Sequence, residues 1–192
     1  MSVTNVASTM LQMVINHPMI ETMDTSCLRL VSCGGSAQSP AIIERAIARL
    51  GCEVFQSYGM TECCGKISMS ILDSQYDRPP SMNDLPYIQS CGRPFCVLDL
   101  RVVDGPDFYD VPEDGKTVGE VVVAGDTVFE YYTGEVDANT TAFVGPWFKT
   151  GDLAVMHPGG YITVVDRAKD MLLVGKQSWH LLLLLHHLCQ WS

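Results

Sequence analysis

The sequence predicts an α/β fold whose second half turns β-rich, and three observations carry that reading. An apolar run at Leu28–Val31 leads into the glycines of SCGGSAQSP. An amphipathic stripe of Ile42, Ile43, Ala46, Ile47 and Leu50 follows, and then CEVFQSYG reads as a second strand. Strand, glycine turn, helix and strand within about thirty residues is the spacing of a parallel βαβ unit, whose ligands bind at the carboxyl ends of its strands.

The elements follow in order. Met10–Ile15 carries a short helical pattern that ends before Pro18. For the next helix, Ser39 is placed to accept a backbone N–H as N-cap, Pro40 fits the first helical position, and Gly51 suits a left-handed C-terminal residue. From Cys91 onward VLDLRVV, GEVVVAG and YITVVD read as short strands. EDG at Glu113–Gly115 and PGG at Pro158–Gly160 read as hairpin signals, so a small antiparallel sheet or barrel is expected. Asp73–Gln89, with RPP at Arg78–Pro80, reads as the connector between the halves, and no internal repeat is seen.

Composition excludes several functions. With 192 residues, 47% of them hydrophobic, the chain is long enough for a real core and is not a disordered polymer. Its 22 acidic and 12 basic residues give a net charge of -10, which leaves no basic face for nucleic acid or an anionic membrane. No apolar run approaches the ~20 residues of a membrane helix; LLLLL at Leu181–Leu185 is closed by His186 and His187. The eight cysteines contain no CxxC pair, and no signal segment opens the chain, so reduced intracellular thiols in a soluble protein are expected.

The chemistry concentrates in QSYGMTECCGK at Gln56–Lys66. A metal or redox site on Cys63 and Cys64 is disfavoured, because adjacent residues of an extended segment point to opposite faces. A nucleotide site is the second reading: Tyr58 offers a stacking ring, Thr61 a donor for phosphate and Glu62 a hard oxygen for magnesium. The third is a plain strand-to-loop turn with a buried tyrosine. Downstream, WFKTGDL sets Asp152 just after a glycine, where a carboxylate is able to accept from both hydroxyls of a ribose. DRAKDM sets Arg167 and Lys169 between two aspartates. Each string alone also fits a solvated loop.

In this order, GGSAQSP, QSYGMTE, WFKTGDL and DRAKDMLLVG resemble the successive motifs of the adenylate-forming superfamily, which includes acyl-CoA synthetases, coumarate–CoA ligases, luciferases and peptide-synthetase adenylation domains. TMLQMVINHP, LRLVSCGGS and SCGRPF add to the likeness, which extends to Gly175 and leans toward the acid–CoA ligases. The resemblance implies a partial large domain: residues 1–90 an α/β subdomain, 91–165 a β-rich subdomain, 166–170 a hinge motif, and 171–192 a remnant strand with a divergent tail.

It also implies a reaction in which a carboxylic acid joins the α-phosphate of ATP, pyrophosphate leaves, and coenzyme A displaces AMP. Gly34, Gly35 and Ser36 would flank adenine and the acyl pocket. Ser57, Gly59 and Met60 would belong to the same nucleotide-binding stretch, with Tyr58 stacked on adenine. Thr61 would bond phosphate and Glu62 would hold magnesium, both as catalytic residues. Asp152 and Arg167 would reach the ribose, Lys169 would be the hinge, and Cys63–Ile67 would line the acyl pocket.

The family's phosphate loop and its C-terminal catalytic lysine have no counterpart here, and from Lys176 on nothing matches. Two functions are therefore expected as alternatives: part of an acid–CoA ligase with little turnover by itself, or a non-catalytic nucleotide-binding member. The compartment is expected to be cytoplasmic, with the peroxisome or another organelle as alternatives, and the oligomeric state is open.

Overall fold

The computed structural model describes residues 2–36, 38–71, 85–167, 172–174 and 177–179. Two compact units result, Met1–Phe95 and Cys96–Ser192, each described by itself.

The first unit begins with strand β1 (Ser2–Ala7), helix α1 (Ser8–Asn16) and strand β2 (Leu28–Gly34). Helix α2 (Pro40–Leu50), strand β3 (Glu53–Met60), a 3-10 turn (Thr61–Cys63) and strand β4 (Gly65–Met69) follow. A short helix α3 (Leu85–Gln89) and strand β5 (Arg93–Pro94) complete it. The sheet order is β1-β2-β3-β4-β5. β2 pairs in parallel with both β1 and β3, whereas β3 and β4 are antiparallel. The βαβ expectation therefore holds, with α2 as the crossover.

The helical stripe explains why α2 lies on the sheet. Ile43, Ala46 and Leu50 are buried, and with Leu11 and Ile15 of α1 they pack on Val31, Cys33 and Val54. Each fully buried Ile or Leu contributes about 1.5–3 kcal/mol. Gly51 ends α2 at φ 65°, as the sequence suggested. The N-terminus differs from expectation in one respect. Ser39 holds the N-cap position ahead of Pro40, but its side chain makes no capping bond; its carbonyl instead accepts from Ile42 N and Ile43 N.

Three further differences have simple causes. β1 carries almost no hydrophobic signal, because nearly all of SVTNVA is exposed at the sheet edge. The expected connector is in part the helix α3, whose Ile88 is 1% exposed, while residues 73–84 of the connector lie outside the described region. And β5 pairs with β4, so Arg93 and Pro94 belong to the first sheet although the sequence pattern changes at Cys91.

The second unit contains β6 (Leu98–Asp104), β7 (Tyr109–Asp110), β8 (Val118–Gly125), α4 (Val136–Ala142), β9 (Phe143–Val144), β10 (Trp147–His157) and β11 (Tyr161–Arg167). Its antiparallel sheet runs β11-β10-β8-β6-β7, with β9 also on β10. Val102, Val121, Val123, Ala154 and Ile162 are fully buried, and Phe129 stacks edge-on against Phe148 at 5.0 Å.

PGG at Pro158–Gly160 joins the paired strands β10 and β11, as a hairpin should. EDG does not. It joins β7 to β8, which lie on opposite sides of β6, and the β6–β7 hairpin turns instead at Gly105–Phe108. The EDG turn docks on the other hairpin: Gly115 N donates to Met156 O and Gly159 N to Glu113 Oε2. Beyond β11, β12 (Leu172–Val174) and β13 (Gln177–Trp179) pair with each other. Lys169 and residues 180–192 lie outside the described region.

Candidate functional site

The parallel register brings the two glycine-bearing motifs together. Gly34 of β2 and Ser57 of β3 are direct partners at the carboxyl ends of their strands, which is where open α/β sheets bind ligands. A cavity of about 560 Å³ opens there, lined by Gly34, Gly35, Ser57, Gly59, Met60 and Thr61 among others. Ser36, Tyr58 and Glu62, from the same segments, lie outside that lining. For Tyr58 the reason is the pleat, which turns it to the opposite face from Ser57 and Gly59.

Side chains buried behind the cavity fix its rim. Ser8, at the start of α1 and 3% exposed, donates to the carbonyls of Gly34 and Ser36. Gln56 Oε1 accepts from Gln38 N at 3.0 Å, and Gln56 Nε2 donates to the carbonyl of Gln89. Ser57 Oγ reaches Cys33 O at 3.3 Å. The GGSAQ segment is thus tied to α1 and β3 at once, and Gln56 ties β3 in turn to α3. Neither Ser8 nor Gln56 stands out in the sequence; a buried polar residue becomes visible only when its partners are known.

Two glycines serve the backbone directly. Gly35 has φ 94° and open space where a side chain would stand, so its backbone is free to approach a ligand. At Gly59 a Cβ would lie 2.0 Å from Gly65 O, so the β3–β4 pairing tolerates no side chain there.

The two cysteines diverge, though not through the extended geometry expected of them. Thr61–Cys63 forms a 3-10 turn and Cys64 is left-handed at φ 56°. Cys63 is 1% exposed, and burial, with the Glu62 and Cys64 charges adding, pushes its thiol up to about 11. Cys64 is exposed and lines the cavity with Gly65 and Lys66. Among the described residues no group of three His, Cys, Asp or Glu side chains is arranged to hold a metal ion. A lone carboxylate of the kind Glu62 offers suits magnesium, an ion bound mostly by substrate phosphates and water.

In the second unit Asp152 lies where β10 leaves its regular ladders. The register shifts between Lys149 and Leu153 against β8, and between Leu153 and Ala154 against β11. Bulges of this kind redirect side chains next to functional sites. Thr150 Oγ1 donates to Val121 O at 2.8 Å and accepts from Asp152 N at 3.2 Å. Thr150 is thus the positioning group for Asp152, and a threonine two residues ahead of the aspartate was its only sequence signal. Asp152 is 6% exposed, and Arg167 Nε lies 3.4 Å from its Oδ1. Asp152 and Arg167 are thereby brought together; they belong to the second unit, and Gly34 to Glu62 to the first.

Residues 1–133 match the family model described as AMP-binding enzyme. The chain belongs to this AMP-binding enzyme family. A peroxisomal butyrate–CoA ligase of Arabidopsis thaliana is 31% identical over 145 residues, 75% of this chain and 25% of the relative. A feruloyl-CoA synthase of Amycolatopsis is 34% identical over 170 residues, 88% of this chain and 32% of the relative. The chain thus spans between a quarter and a third of these curated relatives, both acid–CoA ligases.

Among solved structures, an amide bond synthetase from Marinactinospora thermotolerans shares the AMP-binding chain's fold at TM-score 0.78 and 23% identity, covering 93% of this chain and 35% of that one. O-succinylbenzoate coenzyme A synthetase from Bacillus subtilis, in complex with ATP and magnesium ion, matches at TM-score 0.74 and 26% identity, covering 93% and 34%. Among the described residues no helix is long and apolar enough to cross a membrane.

Proposed function

We propose that this chain contributes one side of the active site of an AMP-forming acid–CoA ligase. In that reaction a carboxylate oxygen attacks the α-phosphorus of ATP, the bond to the β-phosphate oxygen breaks, and pyrophosphate departs. The thiol of coenzyme A then attacks the acyl carbonyl, and AMP leaves.

The observation that carries this reading is the cavity at the paired carboxyl ends of β2 and β3, walled by Gly34, Gly35 and Thr61. In the proposed arrangement the open backbone at Gly35 admits the nucleotide above Ser57, Gly59 and Met60, with Ser36 beside adenine and Tyr58 approaching the base from the opposite face of β3. Thr61 bonds the phosphate. Magnesium, held by Glu62, supplies charge neutralisation at the phosphates. Asp152 receives the ribose hydroxyls with Arg167 beside it, and Lys169 is the hinge. Anion attack on a polyanion depends on positioning and fixed charge more than on proton transfer. The burial of Asp152, whose backbone N–H is held by Thr150 Oγ1, supports the ribose role. A cytoplasmic setting is proposed, with the peroxisome, for which the Arabidopsis relative is named, or another organelle as the alternative.

The test is calorimetry of the purified chain with AMP and with ATP and magnesium, alongside pyrophosphate release over a panel of short, fatty and aromatic acids. Binding of AMP that depends on Asp152 is expected, with little turnover. Absence of AMP binding would overturn the site. Binding without turnover under every acid would favour the second reading, a non-catalytic nucleotide-binding member.

A further inference from the structure

Among the described residues of the cavity wall Lys66 is the one charged side chain, and the proposed chemistry does not use it. It projects from β4 beside Gly59, its register partner on β3. Its Nζ donates to Ser32 Oγ of β2 at 2.6 Å. Lysine, glycine and serine thus span three neighbouring strands, and the side chain crosses over β3 where Gly59 leaves no side chain in its way.

Among the described residues no carboxylate pairs with Lys66, and a serine hydroxyl is its hydrogen-bond partner. This holds in a chain with 22 acidic residues and only 12 basic ones. Other cations of the molecule are paired: Arg49 with Glu21, Arg101 with Asp110, Lys149 with Glu120. Lys66 is half-buried, and desolvation lowers its ammonium pKa. An ammonium drawn partly out of water without a counter-charge costs free energy. Its placement is therefore poor for stability and well suited to an incoming anion.

Position within the cavity decides which anion. Gly34, Gly35 and Thr61 lie at the carboxyl ends of the strands, where the adenylate and the reacting carbonyl are placed under the reading above. Ser32 lies two residues earlier on β2, about 7 Å deeper along the strand at ~3.3 Å per residue. The Lys66 ammonium therefore sits toward the floor, away from the phosphate end. We propose that Lys66 is a specificity-determining residue that receives a second anionic group on the acid substrate, about 7 Å from the carboxyl that is activated. The substrate class this selects is a short dicarboxylic acid, or a monoacid bearing a comparable anion at its far end. The second carboxylate makes one charge-assisted bond to Nζ, and Ser32 Oγ remains beside it as a donor.

This assignment rests on the nucleotide-site reading, and the experiment separates the two. Two non-hydrolysable acyl-sulfamoyl adenosines of equal chain length are compared by calorimetry, one ending in a carboxylate (glutaryl) and one in a methyl group (pentanoyl), with AMP as the reference ligand. The glutaryl compound is expected to bind about tenfold tighter, the size of one charge-assisted hydrogen bond. Lys66→Gln is expected to bring the two compounds to equal affinity, and Lys66→Arg to keep the preference. Equal binding to the unmodified chain, or a preference that survives Lys66→Gln, would overturn the inference while leaving the nucleotide reading in place. A parallel loss of AMP affinity in Lys66→Gln would put the ammonium on phosphate and overturn it as well. Failure of AMP and both analogues to bind would overturn the nucleotide reading and this inference with it.

Discussion

Arg167 and Asp152 are register partners on β11 and β10, with Nε 3.4 Å from Oδ1, yet they live in different surroundings. The aspartate side chain is 8% exposed and the arginine 74%. An ion pair with so exposed a partner is screened and adds little stability. Arg167 therefore leaves the carboxylate of Asp152 in place for the ribose role proposed above.

Asp152→Ala is therefore expected to weaken AMP binding about tenfold or more, the value of a hydrogen bond to a charged group. The double change Cys63→Ala with Cys64→Ala should cost far less, because neither thiol is given a nucleotide contact. Calorimetry on both proteins measures the difference. Equal losses would remove Asp152 from the ribose.

Thr150→Val should lower AMP affinity without a matching loss of melting temperature, since it frees Asp152 N from Thr150 Oγ1 while keeping the shape. Thr150→Ser should restore binding. A variant that loses melting temperature and affinity together, unrescued by serine, would make Thr150 a structural residue only.

Gly59→Ala tests the β3–β4 seam. The new Cβ would meet the Gly65 carbonyl at 2.0 Å, a backbone atom that has no room to turn away. Overpacking of this kind costs about 1–3 kcal/mol or more. Denaturant titration should show at least that loss, and a neutral result would mean that β4 moves freely against β3.

Thiol reactivity should split the adjacent pair. With its thiol pushed up to about 11, Cys63 at pH 8 is thiolate in only about one molecule in a thousand, and it is buried as well. Iodoacetamide followed by peptide mass spectrometry should label the exposed Cys27, Cys64 and Cys96 and spare Cys63. Labelling of Cys63 at the Cys64 rate would contradict the buried 3-10 turn.

The second unit should lose stability as the solution is acidified. His157 Nε2 sits 2.9 Å from Thr163 Oγ1, and burial depresses its pKa below the usual 6.5. The unfolded chain therefore binds this proton more readily than the folded one. Its stabilising effect is present above about 6.5 and lost as pH falls through the lower folded value. Melting temperatures between pH 7.5 and 5 should show that slope, and His157→Gln should flatten it.

The parts of the fold legible in the sequence were those with periodic burial. The α2 stripe, its glycine stop and the PGG hairpin all leave a pattern that a single segment carries. β1 left none, because an exposed edge strand needs no apolar face. The EDG turn was legible as a turn but not as a link between strands on opposite sides of β6, since pairing order is not a local property. The site divides in the same way. Gly34, Ser57, Thr61 and Asp152 were read from ordered motifs; Gln56, Lys66 and Thr150 stand in those same motifs, but their roles, like that of Ser8, depend on partners far along the chain or across a strand.

That division bears on how the site comes into being. Gly34 and Ser57 meet only after α2 has formed and carried β3 back beside β2, a pairing between residues distant in sequence. Assembly of the cavity is thus a non-local closure in the folding of the first unit. Changes within α2 that slow or mispair this step would abolish ligand binding in a population of molecules while leaving every cavity residue unaltered.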